Sequence, residues 1–238
     1  MDEIIIMNPL FENIKVIAFD ADDTLWSNEP YFRHAELEFE RLITPYAKGV
    51  DILDELFSTE MSNMALLGYG AKAFTLSMVE TAIRISNHQV PNMAITEIMN
   101  VGKSLLKAPM EPLGGVPETL EYLKDEGYKL VVATKGEHRD QTNKLHRSGL
   151  ENYFSFVEVM QDKLENEYFR LLDILKVFPS EFAMVGNSFK SDIIPVLSIG
   201  AYGIHIPSEI TWKHEMTQTF QHPNLTEISS FRELKDYF

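Results

Sequence analysis

An apolar run, Lys15-Val16-Ile17-Ala18-Phe19, stops on the acidic cluster Asp20-Ala21-Asp22-Asp23-Thr24. Asp20 and Asp22 are two residues apart, so on extended backbone both carboxylates project to the same side. Paired carboxylates can split one difficult displacement into two easier ones. One attacks, and the other protonates the leaving oxygen and later deprotonates water. Three further polar signals follow short apolar runs. Thr134-Lys135-Gly136 comes after Val131-Val132-Ala133, Lys163 lies just past Val157–Met160, and Gly186-Asn187-Ser188-Phe189-Lys190-Ser191-Asp192 comes after Ala183-Met184-Val185. Each of these alone is an ordinary turn or helix cap. Four at the ends of four apolar runs, in this order, match phosphoryl transfer through an aspartyl intermediate. Thr134 and the adjacent amides of Lys135 and Gly136 would hold the transferring oxygens, and Lys163 would neutralise charge on nucleophile and phosphoryl group. Two carboxylates beside a phosphate dianion require a hard cation, and Mg²⁺ with oxygen ligands fits a chain that has no cysteine. The partial set would not suffice. Phosphate monoester hydrolysis needs accelerations approaching ~10²¹-fold, and acid–base catalysis alone supplies about 10²–10⁴.

These residues need a scaffold that brings the four run ends to one edge. Beyond Pro109 the pattern alternates, with helix predicted at 116–126, strand at 128–133, helix at 137–148, strand at 156–160, helix at 166–176, strand at 182–185, helix near 190–198 and strand at 201–206. Strands alternating with helices of about ten residues predict a parallel sheet wound on both faces, with ligands outside the carboxyl ends of its strands. The first strand has no sheet of its own and must join this one. Between them, residues 31–107 carry helical periodicity throughout, and Lys107-Ala108-Pro109-Met110-Glu111-Pro112-Leu113-Gly114-Gly115 supplies the densest turn punctuation in the chain. The expectation is an α/β protein, a Rossmann-like parallel sheet core with an inserted all-helical segment. Met61, Met64, Met78, Met93 and Met99 read as core filler of that insert. His205 and His214, with Trp212 between them, read as satisfied histidines. Lys135 and Lys190 stand beside the motifs and would raise the local potential for an anionic substrate.

The chain of 238 residues is 45% hydrophobic and 24% charged, ordinary for a globular protein. Its net charge of −15 argues against nucleic acid as a partner, because phosphate-backbone binding rests on Lys and Arg. The N-terminus lacks the basic and apolar regions of a signal peptide, and no run of about 18 apolar residues appears, so no membrane partner is expected. The default is a cytoplasmic protein acting on a small phosphorylated substrate.

The ordered set resembles the haloacid dehalogenase-like hydrolases over about residues 14–206. The resemblance implies a Rossmann-like core of residues 1–28 and 109–238 and a helical C1-type cap of residues 29–108. It assigns Asp20 as nucleophile, Asp22 as acid/base, Thr134 as phosphate binder and Lys163 as the third-motif lysine. Mg²⁺ would be held among Asp20, Asp22, Asn187 and Asp192. It implies a Mg²⁺-dependent phosphatase of a small metabolite; phosphomutases and haloacid dehalogenases share the fold, and a ligand-binding pseudoenzyme is the non-catalytic alternative. Two positions depart from the family's pattern. Asn187 stands where an acid is usual, which keeps an oxygen donor but removes a negative charge, and Leu164 follows Lys163 where proline is common.

Overall fold

The computed structural model describes residues 11–208, 210, 212–215, 217 and 220–238. Six strands form one sheet, all parallel: β1 (Val16–Phe19), β2 (Lys129–Lys135), β3 (Phe156–Met160), β4 (Phe182–Gly186), β5 (Tyr202–His205) and β6 (Leu225–Glu227), in the spatial order β3-β2-β1-β4-β5-β6. Chain direction across the sheet reverses at β1, which pairs with β2 on one side and β4 on the other. In doubly wound sheets ligands usually bind outside the carboxyl ends of the strands at such a reversal.

Both faces of the central strands are buried, and the residues alternate between two cores. Val16, Ala18, Val131, Ala133, Phe182 and Met184 face α7 (Glu165–Leu175), whose Tyr168, Leu171, Leu172 and Leu175 recur at helical spacing. On the other face Phe19 packs against Phe154 and Phe231, at ring-centroid distances of 6.1 and 5.6 Å. Helix α5 (Val116–Asp125) starts after Gly115, whose φ of 94° needs glycine, and buries Val116, Leu120 and Leu123. Helix α6 (His138–Ser148) follows β2.

The structure adds to the expected elements in three places. Strand β2 runs two residues past 133, so Thr134 and Lys135 pair with Val159 and Met160 inside the sheet. The helix expected near 190–198 is divided into a π turn (Phe189–Ile193) and a short α8 (Ile194–Ser198), with Pro195 in the first turn of the latter. Strand β6 and a 3₁₀ helix at Phe231–Asp236 close the chain; three residues without an apolar run gave β6 no sequence signal.

The stretch between β1 and β2 forms a second compact unit, Asn28–Pro109, to which Gly136–Asp140 also belong. Its helices are α1 (Glu29–Ile43), α2 (Ile52–Leu67), α3 (Ala71–Ile85) and α4 (Asn92–Leu105). Pro30 lies in the first turn of α1, and the Asp51 carboxylate caps α2 by accepting from the amides of Leu53 and Asp54. Phe39, Ile43, Leu56, Phe74, Met78 and Ile98 make the core of this unit. Helices α3 and α4 meet closely because Gly102 has no side chain: a Cβ there would lie 1.8 Å from Thr75 Oγ1. Of the methionines expected in this core only Met78 is fully buried, whereas Met93 is 77% exposed and Met99 44%. Helical spacing repeats on either face of a helix, and Met is apolar enough to fit the pattern yet tolerated at the surface. Among the described residues no helix is long and apolar enough to cross a membrane.

Candidate active site

Strand β1 hands over to the site without a break, since the Asp20 amide still donates to the Val185 carbonyl of β4 at 2.9 Å. The chain then turns tightly. Asp23 adopts φ 62°, its amide donates to the Trp26 carbonyl at 2.8 Å, and Leu25 N donates to Ala21 O at 2.8 Å. Short polar residues tolerate this left-handed conformation best, so Asp23 is a turn residue. Leu25 and Trp26 bury themselves completely and anchor the turn.

Asp20 meets Lys163 and Asp192 beyond the strand ends. Lys163 Nζ donates to Asp20 Oδ1 at 2.5 Å and to Asp192 Oδ1 at 2.6 Å, and its side chain is only 1% exposed. Two carboxylates thus share one buried ammonium. Burial, together with repulsion from Asp192 and Asp22, pushes the Asp20 carboxyl up to about 7 against the pull of Lys163. The attraction of Asp192 and Asp20 more than offsets burial at Lys163 and raises it above the ordinary lysine value. The second oxygen of Asp20 lies 3.2 Å from Thr24 Oγ1, which is also 3.3 Å from Asn187 Oδ1. One hydroxyl therefore stands between the nucleophile candidate and the departing position of the fourth motif.

The loop after β4 depends on two local devices. Gly186 lets Asp192 close on the strand end, because a Cβ at 186 would lie 2.3 Å from Asp192 Oδ2. The π turn then gives one residue more than an α turn: Ser188 O accepts from both Asp192 N at 2.9 Å and Ile193 N at 3.3 Å. Ser188 N donates to Asp192 Oδ2 at 3.0 Å, and Tyr168 OH donates to Ser191 O at 3.0 Å. His205, expected to be a satisfied histidine, is only half so: it is buried with Nε2 3.1 Å from the Asn187 carbonyl and its ring on Phe189, while Nδ1 makes no hydrogen bond and lies 3.6 Å from Glu227 Oε2. His214 Nε2 lies 3.0 Å from Lys190 Nζ, at the exposed edge of the same loop.

The other expected residues distribute differently. Thr134 is buried at the end of β2, and Gly136 turns the chain with φ 133°, a conformation open to glycine. Lys135 does not project alone: its Nζ donates to Ser191 Oγ at 2.8 Å and Glu215 Oε1 at 2.5 Å. Asp22, close enough to Asp20 to repel its charge, carries a set of partners of its own. Lys144 Nζ lies 3.0 and 2.8 Å from its two oxygens, Gln141 Nε2 2.9 Å and Trp26 Nε1 2.8 Å. Burial would raise the Asp22 carboxyl, but Lys144, Gln141 and Trp26 together hold it below the usual range.

Three participants lacked any sequence signal. Gln141 and Lys144 sit three residues apart on α6, in a segment too polar to look like an inward face. Glu215 lies in a short 3₁₀ turn after β5 and accepts from Lys135, from Ser191 Oγ at 2.6 Å and from Ser188 Oγ. Burial opposes its ionisation, and these donors overcome it, bringing Glu215 down to about 2.

Among the described residues no three His, Cys, Asp or Glu side chains are grouped to hold a metal. At the fourth-motif position Asn187 offers Oδ1, an oxygen without a charge, and its hydroxyl partner Thr24 also reaches Asp20. All the available donors are hard oxygens, the chemistry Mg²⁺ prefers over sulfur or imidazole sites. The residues present fit that ion, with one negative charge fewer than three acids would provide.

A family model for haloacid dehalogenase-like hydrolases matches residues 14–200. The chain belongs to the haloacid dehalogenase-like hydrolases. It is similar to a solved haloacid dehalogenase-like family hydrolase from Xanthomonas campestris, with 35% identity, a TM-score of 0.83 and coverage of 91% of this chain and 87% of that one. It is 27% identical over 234 residues to a glyceraldehyde 3-phosphate phosphatase of Methanocaldococcus jannaschii, covering 94% of this chain and 96% of the relative. A phosphorylated carbohydrates phosphatase of Thermotoga maritima is 27% identical over 199 residues, covering 81% of this chain and 84% of the relative. The protein is thus a hydrolase, and its α/β core with a helical insertion is the fold of that family.

Proposed function

We propose that this hydrolase is a Mg²⁺-dependent phosphatase of small phosphorylated metabolites, phosphorylated carbohydrates among them, working through a phosphoryl group carried on Asp20. The observation that carries the reading is the Lys163 ammonium shared by Asp20 and Asp192 at the carboxyl edge of the sheet. An ammonium there fixes the orientation of Asp20 and offsets charge as oxygen bonds to phosphorus. The phosphatases among its relatives support the same chemistry.

Charge balance supports a cation. Asp22, Asp192 and Glu215 already match the three ammoniums of Lys135, Lys144 and Lys163, so an ionised Asp20 and a phosphate dianion would both add uncompensated negative charge. Asp20, Asn187 and Asp192 would hold Mg²⁺, which when bound draws charge from the phosphoryl oxygens and favours the ionised form of the nucleophile. Thr134 supplies a hydroxyl, and the amides of Lys135 and Gly136 supply N–H donors, to the transferring oxygens. Asp20 attacks phosphorus, Asp22 gives a proton to the leaving oxygen, and Asp22 then takes a proton from the water that releases phosphate. The helical unit between β1 and β2 is taken as a C1-type cap, the part of the chain that would choose the substrate.

Hydrolysis of an aryl phosphate in Mg²⁺ tests this directly. Activity should vanish with a chelator and with Asp20→Asn; undiminished turnover by Asp20→Asn would contradict the proposal.

A further inference from the structure

Asp22 carries four hydrogen bonds from three side chains, which is unusual provision for a group that must move protons. Trp26 Nε1 reaches Oδ1 at 2.8 Å, Gln141 Nε2 reaches Oδ2 at 2.9 Å, and Lys144 Nζ lies 3.0 Å from Oδ1 and 2.8 Å from Oδ2. Lys144 and Gln141 are themselves buried. Burying an ammonium is strongly unfavourable without a well-made partner, so an apolar residue at 144 would serve helix packing better. The two residues lie three apart on α6 and so share one face. That face also reaches the phosphate-holding strand, since Gln141 Nε2 donates to the Lys135 carbonyl at 3.0 Å, directly after Thr134.

We propose that Lys144 and Gln141 are positioning residues of the reaction, holding the Asp22 carboxylate in the orientation from which it exchanges protons with the leaving and attacking oxygens. The inference rests on the reading of Asp22 as acid/base. In the first step the Asp20 oxygen–phosphorus bond forms, the bond from phosphorus to the leaving oxygen breaks, and the Asp22 proton passes to that oxygen. In the second, water attacks phosphorus, its proton returns to Asp22, and the bond to Asp20 breaks. Four donors aimed at its two oxygens fix the direction in which the Asp22 carboxyl group points. Gln141 ties the orientation to the strand end that grips the phosphoryl group, so the proton carrier and the group being transferred keep one registry.

The test compares an aryl with an alkyl monophosphate in steady-state kinetics of Lys144→Met, Lys144→Arg and Gln141→Leu, alone and in an Asp22→Asn background. An alkyl leaving oxygen needs the proton more. Lys144→Met should lower kcat on the alkyl phosphate about tenfold or more, with KM changed by less than about twofold and a smaller loss on the aryl substrate. Lys144→Arg should recover part of the loss, and in Asp22→Asn the Lys144 substitution should cause no further loss. Losses that multiply in the double variant, or that fall equally on both substrates, would overturn the proposal. Should Lys144→Met fail to fold, Gln141→Leu in the same cycle gives the decision. Turnover by Asp20→Asn would instead refute the phosphatase reading itself; an inactive Asp20→Asn with an unimpaired Asp22→Asn would refute only the role given to Asp22 and its positioning residues.

Discussion

Removing the Lys163 ammonium should destabilise the sheet-bearing unit in a way that depends on pH. Its Nζ holds Asp20 at 2.5 Å and Asp192 at 2.6 Å, and all three groups are buried. Lys163→Met leaves two carboxylates with no counter-charge. Breaking a buried pair by deleting one partner costs about 3–5 kcal/mol, and with two carboxylates affected the upper half of that range is expected at pH 8. Asp20, already raised to about 7, will rise further once the lysine is gone. Its folded-state value then lies far above the unfolded value near 3.8, so the folded variant binds more protons than the unfolded chain and gains stability as pH falls between those values. The parent's Asp20 gains protons in the same way below about 7, so only the span from pH 8 to 7 separates the two proteins, and at pH 5 the loss should be smaller by about 1–1.5 kcal/mol. Urea unfolding of both proteins in chelator, at pH 8 and pH 5, measures the difference from midpoints at constant slope. A loss below about 1 kcal/mol at pH 8, or the same loss at both pH values, would refute the shared-ammonium account.

Four further outcomes follow from particular contacts. Glu60 in α2 is raised to about 8 by burial and by Glu36, so its ionisation opposes folding as pH climbs from about 4.5 to 8. Glu60→Gln should therefore melt above the parent protein at pH 9, by about 1–3 kcal/mol after allowance for partial solvent screening, and match it near pH 4.5, as thermal unfolding at the two pH values would show. Gly102→Ala drives a methyl to 1.8 Å from Thr75 Oγ1 and should cost about 1–3 kcal/mol in urea unfolding, partly relieved by Thr75→Ala. Asn187→Asp adds a charge to the proposed oxygen donors and should lower the Mg²⁺ concentration for half-maximal activity by on the order of tenfold, read from metal titrations of turnover. Thr134→Val should lower kcat/KM by about 10²–10³ with no loss of melting temperature.

Much of this arrangement was legible in the residues, for physical reasons. A central parallel strand must be apolar on both faces, so Val16–Phe19 and Phe182–Val185 announce themselves as unbroken runs, and the polar residues that end them mark the ligand edge of the sheet. The convergence of Asp20, Lys163 and Asp192 followed from that edge. What escaped notice arrives from elements whose inward face is polar. Lys144 and Gln141 sit on a helix that points charge into the site, which reverses the pattern used to read helices, and Glu215 comes from a short turn that has no periodicity at all. The hold of Lys144 on Asp22 could not be read either, because the two lie 122 residues apart in sequence. The π turn depends on Asp192 reaching over Gly186, a packing fact that no local preference encodes.

The central claim is that Asp20 carries the phosphoryl group during turnover. Acid quenching during hydrolysis of an aryl phosphate, followed by peptide mass analysis, tests it most directly, because acyl phosphates survive acid long enough to be located. The account predicts one added phosphoryl group on the peptide containing Asp20, absent from Asp20→Asn and from enzyme quenched without substrate. Turnover with no phosphorylated peptide, or with the group on a residue other than Asp20, would contradict it.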